Sequence, residues 1–163
     1  MNSDSNTLIL TMFYIIYVVY LLYFYIDKEA LIMTLLQLST SRINYKNEQK
    51  SIDTIQFAIE NGINYINSAE FYNGGASEII LSKALTNVSR EKYKIFTKYN
   101  ALPNLGSGLY GIDPNPFNIR AHLKFSLKRL CTNYIDVYEP SHQDKAVPVE
   151  DIVFELVKLQ KEG

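Results

Sequence analysis

Cysteine is nearly absent from this chain: Cys131 stands alone among 163 residues. One thiol excludes a disulfide framework, and no cluster of His, Cys and Asp accompanies it to suggest a metal. Its expected place is a small, buried apolar position just before a strand, in a reduced, intracellular protein. An excess of positive charge is missing as well. Sixteen Lys and Arg face seventeen Asp and Glu, a net charge of -1. Nothing here matches the basic footprint that nucleic-acid binding requires. A phosphate loop is absent too, since no Lys-Ser/Thr pair follows Gly74-Gly75 at the required spacing. Asn87-Val88-Ser89 matches a glycosylation sequon, which in a reduced intracellular protein is a chance match.

Charge is also absent from Leu8 to Ile26, a run of 19 residues and about the span of a transmembrane helix. Five tyrosines in it (Tyr14, Tyr17, Tyr20, Tyr23 and Tyr25) are costlier in lipid than leucine and prefer interfaces. No Lys or Arg precedes it, so it lacks the basic start of a secretory signal. Three readings stay open: a membrane anchor, a buried or partner-covered helix, and a misassembled N-terminus. Lys28, Arg42, Lys46 and Lys50 follow the run, which for an anchor favours a domain facing the cytosol. Residues 1–28 are therefore set apart from a domain over 29–163.

What the remainder contains is alternation. Ala30 to Leu38 reads as a short buried apolar element whose strand covers Ile32 to Leu38. From Ser51, Ile52, Ile55, Ala58 and Ile59 share a helical face, and Asn61-Gly62 ends it. Ile63 to Ser68 reads as a strand, Ser77 to Leu85 as a helix, and Lys92 to Lys98 as the third strand. Asn100 to Ile112 is glycine-rich and expected to be a loop. Asp113-Pro114 reads as an N-cap followed by proline at the first helical position, and Ile119, Leu123, Leu127 and Leu130 form the stripe of the helix it opens. His122 lies off that stripe, as a surface histidine would. Tyr134 to Tyr138 is the fourth strand. Val149, Ile152, Val153, Leu156 and Leu159 make a last amphipathic helix. Four β-α units with short connections predict neighbouring parallel strands in an α/β fold. A complete (β/α)8 barrel needs eight units and typically about 250 residues, so this chain has room for the N-terminal half of a TIM barrel, preceded by an apolar helix.

Five segments stand in register over residues 50 to 163: Gly62-Ile-Asn-Tyr-Ile-Asn-Ser-Ala-Glu-Phe-Tyr72; Ser77-Glu78 with Leu81-Ser-Lys-Ala-Leu85; Ile95-Phe-Thr-Lys98; Ser126-Leu-Lys-Arg-Leu130; and Tyr134-Ile-Asp-Val-Tyr138. In identity and order they resemble the aldo-keto reductase superfamily. Asn67-Ser-Ala-Glu70-Phe71-Tyr72 is most similar to the fungal pyridoxal reductase branch, where Asn stands in place of the commoner Asp. The resemblance implies a barrel that reduces a small-molecule aldehyde or ketone with NADP(H) and without a metal.

By that resemblance Tyr72 is the proton donor and Lys98 the cation that lowers its pKa, as negative charge developing on a carbonyl oxygen requires. Asn67 falls where the family's aspartate pairs with the lysine; it can hydrogen-bond Lys98 but not neutralise it. The family's substrate-orienting histidine aligns with Ser141. His142, one residue later, could serve only across a bulge, because an offset of one turns a strand residue to the other face; otherwise it is a loop histidine. The loops that by resemblance hold the adenosine and phosphates belong to later strands, so the cofactor-binding residues stay unassigned. Three expectations follow: a truncated reductase without activity of its own, a non-catalytic half-barrel that dimerises through open sheet edges, and an enzyme completed by a second polypeptide.

Overall fold

The computed structural model describes residues 36–102 and 111–163. The apolar run Leu8 to Ile26, the boundary near residue 28 and the start of the expected first strand at Ile32 lie outside them. In chain order the elements are β1 (Gln37–Ser39), α1 (Glu48–Glu60), β2 (Tyr65–Ala69), α2 (Ala76–Leu85), β3 (Lys94–Tyr99), β4 (Ala101–Leu102), β5 (Gly111–Ile112), α3 (Ile119–Leu130), β6 (Val137–Pro140) and α4 (Val149–Glu162). Strands β1, β2, β3 and β6 form one parallel sheet in that order, and the four helices follow them in the β-α alternation expected.

Local chemistry sets the ends of the elements. Asn47 caps α1 by accepting the Lys50 N–H at 3.1 Å, and Glu48 sits in the first turn where the helix dipole favours it. The helix stops at Asn61, and Gly62 follows with φ of 83°. The cap expected at Asp113 stands two residues later. Asn115 accepts the Phe117 N–H at 3.1 Å, Pro116 opens a short 3-10 turn, and α3 begins only at Ile119. Asp113 instead accepts the Asn115 N–H, which holds the approach to the turn. The expected loop from Asn100 to Ile112 contains the antiparallel pair β4–β5. The fourth parallel strand begins at Val137 rather than Tyr134, because Asp136 is engaged sideways: its carboxylate accepts the Ile95 N–H at 2.9 Å and meets Arg90 at 2.6 Å and Lys94 at 3.0 Å.

The helices pack on one face of the sheet. Ile55, Ile66, Ile80, Leu81, Ala84, Leu85, Ile95 and Leu130 are buried together there. Removing each isoleucine or leucine from water contributes about 1.5–3 kcal/mol. A second cluster of Tyr99, Ile119 and Ile152 lies under α4, with the Tyr99 ring stacked on Tyr138 at 4.6 Å. Of the predicted α3 stripe, Ile119 and Leu130 are buried, whereas Leu123 and Leu127 are only half-buried and line a cavity shared with α4. Cys131 departs from expectation. It ends α3 in a left-handed conformation, φ 50°, and is exposed, because a helix stop needs a positive φ here and the side chain then leaves the packed face.

On the opposite face of the sheet, alternation brings out Tyr65, Asn67, Phe96, Lys98, Val137 and Glu139. The Tyr65 and Phe96 rings lie 5.7 Å apart toward the strands' amino ends. Asn67, Lys98 and Glu139 occupy the carboxyl ends. Among the described residues, no helix is long and apolar enough to cross a membrane.

Candidate active site

Strand order and register assemble the polar end of the inner face. Lys98 pairs with Ala69 on β2 and with Glu139 on β6. Its ammonium donates a hydrogen bond to the Asn67 side-chain oxygen and lies 3.9 Å from a Glu139 carboxylate oxygen. Beyond β2 the Glu70 N–H donates to the Lys98 carbonyl at 2.9 Å, and the chain turns through Tyr72–Gly75. Asn73, Gly74 and Gly75 all take positive φ, 53°, 63° and 92°. At Gly75 a Cβ would meet the Arg129 side chain at 3.1 Å and the Glu70 carbonyl at 3.5 Å, so the positive φ favours glycine and a side chain would also press on Arg129. The turn carries Tyr72 over the strand ends, where its ring centroid lies 5.8 Å from the Lys98 ammonium and its edge meets Phe71. Asn67, Lys98 and Tyr72, separated in sequence, are thus brought together. Burial holds the Lys98 ammonium below the usual lysine range, and the Glu139 charge opposes that fall.

His142 stands apart from this group. The β3–β6 register runs unbroken to Pro140, so the paired stretch contains no bulge to reorient it, and the chain bends at Ser141 and His142. Both residues are held through their main chain by Asn100, a nearly buried side chain with φ of 69° at the end of β3. The Asn100 amide donates to the His142 carbonyl at 2.7 Å, and its oxygen accepts the N–H groups of Ser141 at 3.1 Å and His142 at 3.3 Å. His142 itself is exposed.

His122 is not the surface histidine its place off the α3 stripe predicts. Its Nδ1 lies 2.9 Å from a Glu70 oxygen and its Nε2 3.2 Å from Asp113 Oδ2, with the side chain only 16% exposed. The physical reason is that α3 starts after Asp113, which leaves this carboxylate free to fold back over the helix. Glu70 in turn accepts the Asn100 N–H at 2.8 Å. Burial raises the Glu70 carboxyl above its ordinary value despite the opposing His122 charge, the Asn100 bond and the Arg129 charge. Asp113 is also resisted by burial, but hydrogen bonds from Asn118, Asn115 and His122 outweigh it and hold the carboxyl below its usual range. A Glu70–Asn100 link therefore connects this ionic cluster to the turn at Ser141. Both ring nitrogens are engaged by carboxyl groups; among the described residues, no metal-binding group of three or more His, Cys, Asp or Glu occurs.

Behind the mouth, Glu78 is fully buried. Its carboxylate accepts from the Thr97 hydroxyl at 3.0 Å and from Arg129 Nε at 2.7 Å. Both Glu78 and Arg129 belong to motifs visible in the sequence, but their pairing, 51 residues apart, is not. Nor was the approach of Glu139 to Lys98.

The family described as "Aldo/keto reductase family" matches residues 31–163. Among curated proteins, "Probable aldo-keto reductase 1" from Glycine max is 37% identical over 116 residues, which is 71% of this chain and 33% of the relative. Among solved structures, an aldo-keto reductase from Bacillus halodurans in its holo form aligns with a TM-score of 0.72 and 29% identity, covering 78% of this chain and 42% of its own. An aldo-keto reductase from Klebsiella pneumoniae in complex with NADPH aligns with a TM-score of 0.63 over 78% of this chain and 41% of its own; at 23% identity it speaks to the fold alone. This chain spans about a third of the curated relative's length and about two fifths of these solved chains.

Proposed function

The chain belongs to the aldo/keto reductase family, and from that premise we propose that its domain supplies the reacting end of an NADP(H)-dependent carbonyl reductase. The observation that carries the reading is the convergence of Lys98, Asn67 and Tyr72 at the carboxyl ends of parallel strands, where a barrel of this type places its chemistry. Tyr72 gives a proton to the carbonyl oxygen. Lys98 stabilises the tyrosinate this leaves, and Asn67 fixes the ammonium by its side-chain oxygen. When bound, the nicotinamide supplies the hydride.

The described residues suit only that reacting end of the cofactor. The left-handed turn at Asn73–Gly75 leads into a helix whose first turn contains Glu78, a poor cradle for phosphate. Residues that hold the adenosine and phosphates are thus to be sought outside this set. A small aldehyde of the pyridoxal type is the substrate class we favour, on the strength of the Asn67-to-Tyr72 signature. The exposed free thiol of Cys131 suits a reducing, cytoplasmic setting.

Two measurements test the reading. Titration with NADPH, followed by cofactor fluorescence, separates a self-sufficient domain from a scaffold: no change at millimolar cofactor would exclude catalysis by this chain alone. In the form that turns over, whether this chain alone or completed by further strands, Tyr72→Phe should abolish aldehyde reduction with little loss of cofactor affinity, and Lys98→Met should slow it by about 10²-fold or more. Unchanged turnover in Tyr72→Phe would remove the assigned donor. The half-barrel interaction module, suggested by the half-exposed Tyr65 and exposed Val137 on the inner face, predicts a dimer on gel filtration and no NADPH response.

A further inference from the structure

The Lys98 ammonium is three-quarters buried yet hydrogen-bonded to a neutral group, the Asn67 amide oxygen. An amide orients the ammonium without balancing its charge. Burial beside a neutral partner alone makes an ammonium more acidic. Balance must come from another element, and the sheet register supplies it. Glu139 is the residue on β6 directly paired with Lys98, on the same face, and its Oε1 lies 3.9 Å from the ammonium. Asn67 approaches from β2 and Glu139 from β6, so the two hold Lys98 from opposite sides. Among the described residues, the groups facing the ammonium are thus one amide, one carboxylate and the Tyr72 ring.

We propose that Glu139 is the counter-ion of Lys98, a positioning residue that keeps the ammonium charged beside Tyr72 where Asn67 cannot. This rests on the functional reading above for its meaning in catalysis, but its geometry stands without it. Glu139 is about half exposed, so its effect is electrostatic and screened by salt, and it leaves the fold untouched. The division of labour has a consequence: moving the carboxylate from β6 to β2 should preserve the charge balance.

The test titrates Lys98 itself. The chain is produced with labelled lysine, and the Lys98 side-chain resonance is assigned through Lys98→Arg and followed against pH by NMR. Glu139→Gln is expected to make Lys98 roughly threefold to sixfold more acidic, the scale set by two unit charges about 4 Å apart in water. Adding Asn67→Asp to that variant should restore the original titration, and 1 M salt should shrink the difference between wild type and Glu139→Gln. Glu139→Ala serves as a second variant and should match Glu139→Gln. An unchanged Lys98 titration in folded Glu139→Gln and Glu139→Ala would overturn the proposal. Equal turnover in Tyr72→Phe would overturn the functional reading and leave this titration standing, so the two can fail separately.

Discussion

Replacing His122 by leucine tests the ionic cluster most directly. The ring nitrogens face a Glu70 oxygen at 2.9 Å and an Asp113 oxygen at 3.2 Å, so one imidazole bridges the two carboxyl groups. His122→Leu removes both bonds but not the packing volume. Asp113 is partly exposed and keeps its bonds to Asn118 and to the Asn115 N–H, so it loses little. Glu70 is nearly buried and, among the described residues, keeps only the Asn100 N–H as a hydrogen-bond partner of its side chain. A hydrogen bond to a charged group contributes about 1.5–3 kcal/mol, so the variant should lose about 2–3 kcal/mol at pH 7, nearly all of it at Glu70. The loss should depend on pH, and its sign is fixed. The Glu70 carboxyl already titrates above its ordinary value of 4.5 in the folded protein. A group raised in this way contributes stability below its unfolded value and loses it as pH rises through the folded one. Without the imidazole the folded value climbs further, so the penalty should grow from pH 5 to pH 7 and shrink toward acid as the unpaired carboxylate takes up a proton. Asp113 acts in the opposite sense, but its pKa lies below its ordinary 3.8 and outside this window. Urea unfolding of both proteins at pH 5, 6 and 7 reads the difference directly. A penalty that stays constant across those three pH values would refute the argument, as would one that persists unchanged in a Glu70→Gln background.

Glu78→Gln should destabilise the domain by about 1.5–3 kcal/mol in urea unfolding, because the amide removes the charge and one of the two acceptor oxygens that serve Thr97 and the partly buried Arg129. Asn100→Gly keeps the left-handed backbone and removes only the side-chain clasp. Amide exchange at His142 should then accelerate about fivefold to tenfold, as expected for a lost hydrogen bond of about 1 kcal/mol, while Ser141, whose N–H also donates to the Tyr99 carbonyl at 2.9 Å, changes less and Ile66 and Ile95 stay as they were.

The alternation of strands and helices was legible because it is written in apolar spacing. Ile55 and Ala58 lie on the predicted face of α1, and Ile66 and Ile95 lie on buried strands. The boundaries were less legible because single polar side chains decide them. Asp136 holds the Ile95 N–H and keeps Tyr134 and Ile135 out of the sheet; Asn115, two residues beyond Asp113, caps the turn into α3. The β4–β5 pair was hidden for a related reason. Its strands are two residues each, too short for alternation to register. In the site, Tyr72, Lys98 and Asn67 could be named from segments in register. The partners of His122 and the approach of Glu139 to Lys98 could not, because no local pattern links a helix residue to a strand end 52 positions away.

The sheet divides its polar groups by face, and this division explains why the parts of the site should respond differently to mutation. On the helix face, Glu78, Thr97, Ser68 and Thr40 are buried and must be satisfied, so any loss there appears as instability. On the inner face, Lys98 is partly buried but Glu139 is about half exposed, and an ion pair in contact with water contributes between 0 and about 1 kcal/mol to folding. Substitutions at Lys98 or Glu139 should therefore change a titration or a rate while the unfolding midpoint scarcely moves. Glu70 sits between the two regimes. It follows β2 at the mouth, yet it is buried and tied to α3 through His122 and to the Ser141 turn through Asn100. A change there should be felt both in stability and at the Ser141 turn, so Glu70 ties the end of β2 to both.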